Sequence, residues 1–187
     1  MTAEKGTGPT RPSAGAGSLA LTGSASLNVG VASLRYDHRC WKVHWNHVLR
    51  AYSALEADYQ NLVDRNKMMF DVDAFFIFST HLHEWMKRDM AKECMLTPEQ
   101  LNELNRLFYT DPALVLGKDI ANTQKHHTRT GGRMAFVAEV SVYFVGQRAE
   151  AQIQVVGEDA PKDALGLATQ AVASWQAFID DHKLQPT

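Results

Sequence analysis

Two short runs of the chain hold the side chains best suited to chemistry. The first is His81, Glu84 and Trp85; the second is Asp119, Asn122, Lys125 and His126. Spacings of three and four dominate both runs, so on a helix each forms one stripe. His81 stands three residues after Phe78 and four before Trp85, and so shares the aromatic face of its helix. Glu84 flanks that face, and His83 is expected on the other, solvated side. A polar stripe on an otherwise apolar helix must find partners, because a buried polar group without one costs about 1–3 kcal/mol. The economical arrangement turns the two sets toward each other: His81 and Glu84 meet Asn122 and His126, with Trp85 as a wall. Imidazoles move protons near neutral pH and a lysine holds an anion. Such a site either binds an anionic or nucleotide-like ligand or, with His81, His126 and Lys125 as catalytic candidates, cleaves RNA through the RNA's own 2′-hydroxyl. A third reading makes Asp119, Asn122 and His126 a closed network that only rigidifies the fold.

Eight histidines also raise metal binding. His44 and His47 lie three apart on one helix, with His38 before them, and offer two or three nitrogen ligands. A catalytic zinc wants three protein ligands and an open position. The competing reading leaves both rings at the helix flank, one hydrogen-bonded and one solvated. No HExxH or paired CxxC is present, and no cofactor is expected. Cys40 and Cys94 are too few for a disulfide framework. They read as free thiols, which suit a reducing compartment and hence the cytoplasm.

The elements that must position these residues follow from length and patterning. The chain has 187 residues, 45% hydrophobic and 21% charged, with a net charge of −2. One globular domain with its own core is expected, without need of a staple. The charge argues against broad non-specific nucleic-acid binding, although Lys125–Arg133 is locally basic. No apolar run reaches the roughly 18 residues of a membrane span. Residues 1–34 hold six of the twelve glycines and read as a Gly/Ser-rich leader, either without structure or with a short strand over 25–31. Residues 35–187 form the single α+β domain. Asp37 is a plausible cap for a first helix with an apolar seam at Trp41, Trp45, Val48, Tyr52, Leu55, Tyr59 and Leu62. A second helix is expected after Asp71 or Asp73, carrying Phe75, Phe78, Leu82, Trp85 and Met86. Thr97-Pro98-Glu99-Gln100 starts a third through a capping box, and Asp111-Pro112 starts a fourth. The period then changes to two. Met134, Phe136, Ala138, Val140, Val142 and Phe144 form one strand, Ala149, Ala151, Ile153 and Val155 face the core from the next, and Gly146-Gln147 makes a two-residue turn. Pro161 opens a last helix with Leu165, Ala168, Val172, Trp175 and Ile179. The expected architecture is a four-helix bundle, then an antiparallel hairpin, then a C-terminal helix packed on it. Val43 and Leu49, off the main seam, permit a homodimer.

His81-Leu82-His83-Glu84-Trp85 followed by Asp119-Ile120-Ala121-Asn122-Thr123-Gln124-Lys125-His126 resembles a widespread group of small bacterial proteins. Their pattern is His-Leu-x-acidic-Trp, then Asp-Ile/Leu-Ala-Asn-x-x-Lys-His, then a hairpin and a helix with a late tryptophan. The resemblance runs from Trp41 to Phe178 and includes Trp175; His83 stands where lysine is common in the group. It implies the architecture and singles out the stripe, and implies no activity. A fainter likeness is to HEPN-type helical domains, metal-independent ribonucleases with Arg-x(4–6)-His. Here the one such spacing is Arg39 with His44, early in the chain, and Ala121 stands where arginine would precede Asn122. The expectation is therefore a non-catalytic binding or interaction module, with a protein partner or a nucleotide or RNA ligand, in a defence or regulatory system. A HEPN-like ribonuclease is the alternative.

Overall fold

The computed structural model describes residues 40–89, 94–125, 134–143, 146 and 148–184. The chain divides after residue 35, and all described residues belong to the second unit, Tyr36–Thr187. The leader with its strand over 25–31, Asp37, His38 and His126 lie outside the described residues.

Among the described residues, five helices and a three-stranded antiparallel sheet make an α+β fold: α1 (Trp41–Tyr59), α2 (Arg65–Arg88), α3 (Pro98–Thr110), α4 (Pro112–Lys125), β1 (Ala135–Tyr143), β2 (Arg148–Val155), β3 (Lys162–Asp163) and α5 (Ala164–Asp181). Among the described residues, no helix is long and apolar enough to cross a membrane. The helix starts have local causes. Asp64 caps α2 by accepting the Lys67 N–H, so α2 begins about two turns or more before the expected Asp71 or Asp73. Thr97 and Gln100 form the reciprocal capping box of α3. Asp111 Oδ1 accepts the N–H groups of Ala113 and Leu114 ahead of α4.

α2 is the spine, packed on α1 on one side and α4 on the other, with further contacts to α3, α5 and the sheet. It buries Met68, Val72, Phe75, Phe76, Ser79, Leu82, His83 and Met86. That stripe differs from the expected one: Phe78 and Trp85 are each 38% exposed and lie beside α1 instead. Trp41, Trp45 and Trp175 are fully enclosed, and each large side chain so buried contributes roughly 2–3 kcal/mol. The Trp175 indole N–H finds its partner in Ser79 Oγ at 2.9 Å, tying α5 to α2 inside the core.

The sheet order is β1-β2-β3. On β2, Ala149, Ala151, Ile153 and Val155 face the core as alternation predicts. β1 does not keep one phase. Ala135 and Val137 are buried while Phe136 and Ala138 are exposed, and the register then shifts between Val137 and Glu139. A bulge inserts one residue and swaps the inward positions, so a strict even-numbered face was the wrong expectation. Tyr143 pairs with Arg148, so four residues rather than two connect the strands. Gly146 sits at φ 88°, a conformation that favours glycine. Pro161 does not open α5; β3 intervenes, and Asp163 caps the helix through the Gly166 N–H.

Candidate functional site

Residues 81, 84, 85 and 88 recur at i, i+3, i+4 and i+7, which on α2 is a single stripe leading to its C-terminal end. Together with Lys125, the last residue of α4, they line a cleft of about 450 Å³, a size that suits a small ligand. The Lys125 Nζ lies 2.8 Å from His81 Nε2. An ammonium has only donors, so Nε2 is the acceptor, and the ring is neutral with its proton on Nδ1. The environment agrees. Burial lowers the His81 pKa, the Lys125 charge lowers it further, and Glu84 opposes both. Glu84 pairs with Arg88 at 3.3 Å. With the Arg88 side chain 80% exposed, that pair is weakly held. The cleft thus carries two cations, one carboxylate and one neutral imidazole.

Trp85 forms the apolar wall. The His44 ring stacks on it with centroids 3.9 Å apart and planes 13° from parallel. The His47 ring is edge-on to His44 at 5.5 Å and lies 5.7 Å from Phe78. These two histidines were candidate metal ligands. Among the described residues they join no third ligand; their rings are engaged in aromatic contacts instead. The one described group with metal-ligand spacing is Cys40, Asp89 and Cys94, with ligand atoms within 4.8 Å of one another. The two sulfurs are bonded to each other, with Cα atoms 5.9 Å apart. The expectation of two free thiols is thus corrected, and with it the ground for inferring a reducing compartment. No local pattern marks this pairing, because 54 residues separate the cysteines.

The expected facing stripes are met only in part. His81, Glu84, Trp85 and Lys125 come together. Asp119 is buried and Asn122 half-buried, and the described lining of the cleft includes neither. Arg88 was missed, although its i+7 relation to His81 was readable. His83 is the clearest reversal. It is fully buried rather than wet, stacked on Phe108 at 3.9 Å and 6°, with Nε2 3.0 Å from Asn105 Oδ1. The reason is α3, which packs on the side of α2 away from the cleft and covers that ring. Burial is the main cause that lowers the His83 pKa.

Chemically, a neutral imidazole beside an ammonium can accept a proton while the cation holds a negative group. Cleavage of RNA also needs a group to protonate the leaving oxygen, and no second imidazole joins His81 among the described lining residues. Searches against family models, curated proteins and solved structures return no match to this chain.

Proposed function

We propose that the protein is a non-catalytic binding module whose cleft takes a small anion bearing a flat ring, a nucleoside monophosphate being the simplest example. The observation that carries this reading is the Lys125–His81 contact beside the exposed Trp85 indole. His81 fixes the ammonium at the mouth of the cleft through a neutral acceptor, so the positive charge is not cancelled. Arg88 adds a second, exposed cation at the cleft, with a fork of donors suited to a phosphate. The indole gives the ring a stacking surface already backed by His44.

The test is calorimetric titration of the purified chain with adenosine 5′-monophosphate at low salt. Saturable binding is expected, weakened at least about tenfold by Lys125→Met and by Trp85→Ala, a loss of about 1.4 kcal/mol each. Adenosine and inorganic phosphate alone bind more weakly than the whole nucleotide. No binding at ~1 mM, the range of weak specific ligands, ends this reading. RNA cleavage in the presence of chelator, abolished by His81→Ala with the fold intact, would replace it with the ribonuclease.

A further inference from the structure

We propose that the Cys40–Cys94 disulfide is a reversible redox site that sets the cleft's affinity for its ligand; the affinity part of this proposal rests on the reading of the cleft given above. Two links join the start of α1 to the last turns of α2 and its cap, the Asp89 carboxylate on Trp41 and the His44–Trp85 stack, and the Cys40–Cys94 bridge ties the same start of α1 covalently to the connection between α2 and α3. Cys40 is the residue before α1 and gives that helix no side-chain cap. The cap comes from Asp89, the residue just after α2, whose Oδ2 accepts the Trp41 N–H at 2.7 Å. One turn into α1, His44 lies flat on Trp85, the wall of the cleft. The sulfur bridge, the carboxylate cap and the ring stack therefore follow one another along a single edge. The outermost of them closes a separation of 54 residues. The bridge adds a covalent constraint to the cap, the stack and the enclosed Trp41 and Trp45, which together set where His44 lies behind the indole.

The two sulfurs are not equivalent. Cys40 is half-buried and sits at the N-terminal end of a 19-residue helix, whose peptide dipoles favour a thiolate there. Cys94 is 4% exposed. This is the arrangement of an accessible sulfur with an enclosed resolving one. A small thiol such as glutathione, as its thiolate, attacks Cys40 Sγ. The S–S bond breaks, and Cys94 leaves as a thiolate that takes a proton from solvent. A second small-thiol thiolate attacks the mixed disulfide. It releases the Cys40 thiolate, which is protonated in turn, and the small disulfide. Two electrons pass from the two small thiols to the protein; the small disulfide reverses both steps. A chain of this length with so large a core needs no staple merely to fold, which leaves this bridge free to open without loss of the domain.

The experiment compares the full chain as purified in air with the same protein after reduction and desalting under argon. Thiol titration should find no free thiol before reduction and two after; two free thiols in the air-purified protein overturn the proposal. Adenosine 5′-monophosphate is titrated into both forms. Affinity is expected to fall at least about fivefold on reduction, the low end of ordinary coupling between sites, and to return on reoxidation with glutathione disulfide. Equal affinity in the two forms overturns the proposal while leaving the cleft as a binding site. If the oxidised form binds no nucleotide, the cleft reading fails by itself, and amide hydrogen exchange decides the redox site. Faster exchange in the reduced protein confined to residues 41–48 and 82–89 sustains it, and unchanged exchange there overturns it. Cys40→Ser with Cys94→Ser should match the reduced form. Reduction of the wild-type chain, followed by circular dichroism, gives the answer even if that variant does not fold.

Discussion

The Lys125 ammonium donates to His81 Nε2 across the gap between α4 and α2, and so joins the last residue of one helix to the other about two turns before its C-terminal end. The contact holds the imidazole neutral and orients the cation toward the cleft. Lys125→Met removes one of the two causes that lower the His81 pKa and leaves burial, the larger one. The ring should therefore titrate at higher pH than in the wild type. A proton-NMR titration of the His81 ring reads this directly, and an unchanged midpoint would mean that the contact is not made in solution.

His83 is a stability element rather than a site. Its folded pKa lies below the ordinary value of about 6.5, so the folded state resists a proton that the unfolded state accepts. Stability is fully present above that pH and falls as the pH drops through it, where the unfolded chain binds more protons. His83→Phe keeps the stack on Phe108 and leaves Asn105 without its partner. The expected cost is about 1–3 kcal/mol at pH 8, with a smaller further loss on acidification than the wild type shows. Urea unfolding at pH 8 and pH 5.5 measures both quantities, and an acid loss as large as that of the wild type would mean another group carries it.

Much of this was legible because local chemistry decided it. The capping box at Thr97 and Gln100, the Asp111-Pro112 start and the inward face of β2 each depend on residues a few positions apart. The cleft was half legible for the same reason: His81, Glu84 and Trp85 share a turn, and the Lys125 stripe is local to α4. What failed was decided by partners distant in sequence. His83 is dry only because Phe108 and Asn105 of α3 cover it. Trp85 is the wall expected of it, but the His44 ring of α1 that lies on one of its faces was not readable from α2. The disulfide depends on bringing together two loops that no periodicity connects, and the β1 bulge on pairing with a strand whose register the β1 sequence does not contain.

Tyr59, the last residue of α1, ties that helix to the sheet and to α5. Its hydroxyl accepts the N–H groups of Ala151 at 3.0 Å and Leu165 at 3.1 Å and lies 2.8 Å from Asp163 Oδ1, to which it donates. One oxygen thus links α1 to β2 and to the start of α5, and burial raises its pKa well above that of an ordinary phenol. Tyr59→Phe leaves two backbone donors and a carboxylate without this partner at almost unchanged volume. The expected loss is about 2 kcal/mol or more, measured as a shift in the urea midpoint with unchanged slope. A loss near zero would mean that water replaces the hydroxyl.

Asp73 should act with the opposite pH sense to His83. It faces the end of α4, where the Gln124 side-chain amide donates to its Oδ1 at 2.9 Å. Burial outweighs that hydrogen bond and pushes its pKa up to about 6. The folded state therefore holds a proton over a range in which the unfolded carboxyl, near 3.9, has lost it. The neutral form stabilises at acid pH, and that contribution is lost as pH rises through about 6. Above that point the ionised carboxylate destabilises the fold. Asp73→Asn keeps an acceptor for Gln124 and removes the charge. It should raise stability by about 1 kcal/mol at pH 8, after allowance for partial solvent screening, and by nothing at pH 4. Because Asp73 offsets the acid loss from His83 in the wild type, the variant should also lose more stability than the wild type between pH 7 and pH 5. Parallel unfolding curves for the two proteins across that range would mean that Asp73 is ionised and solvated throughout.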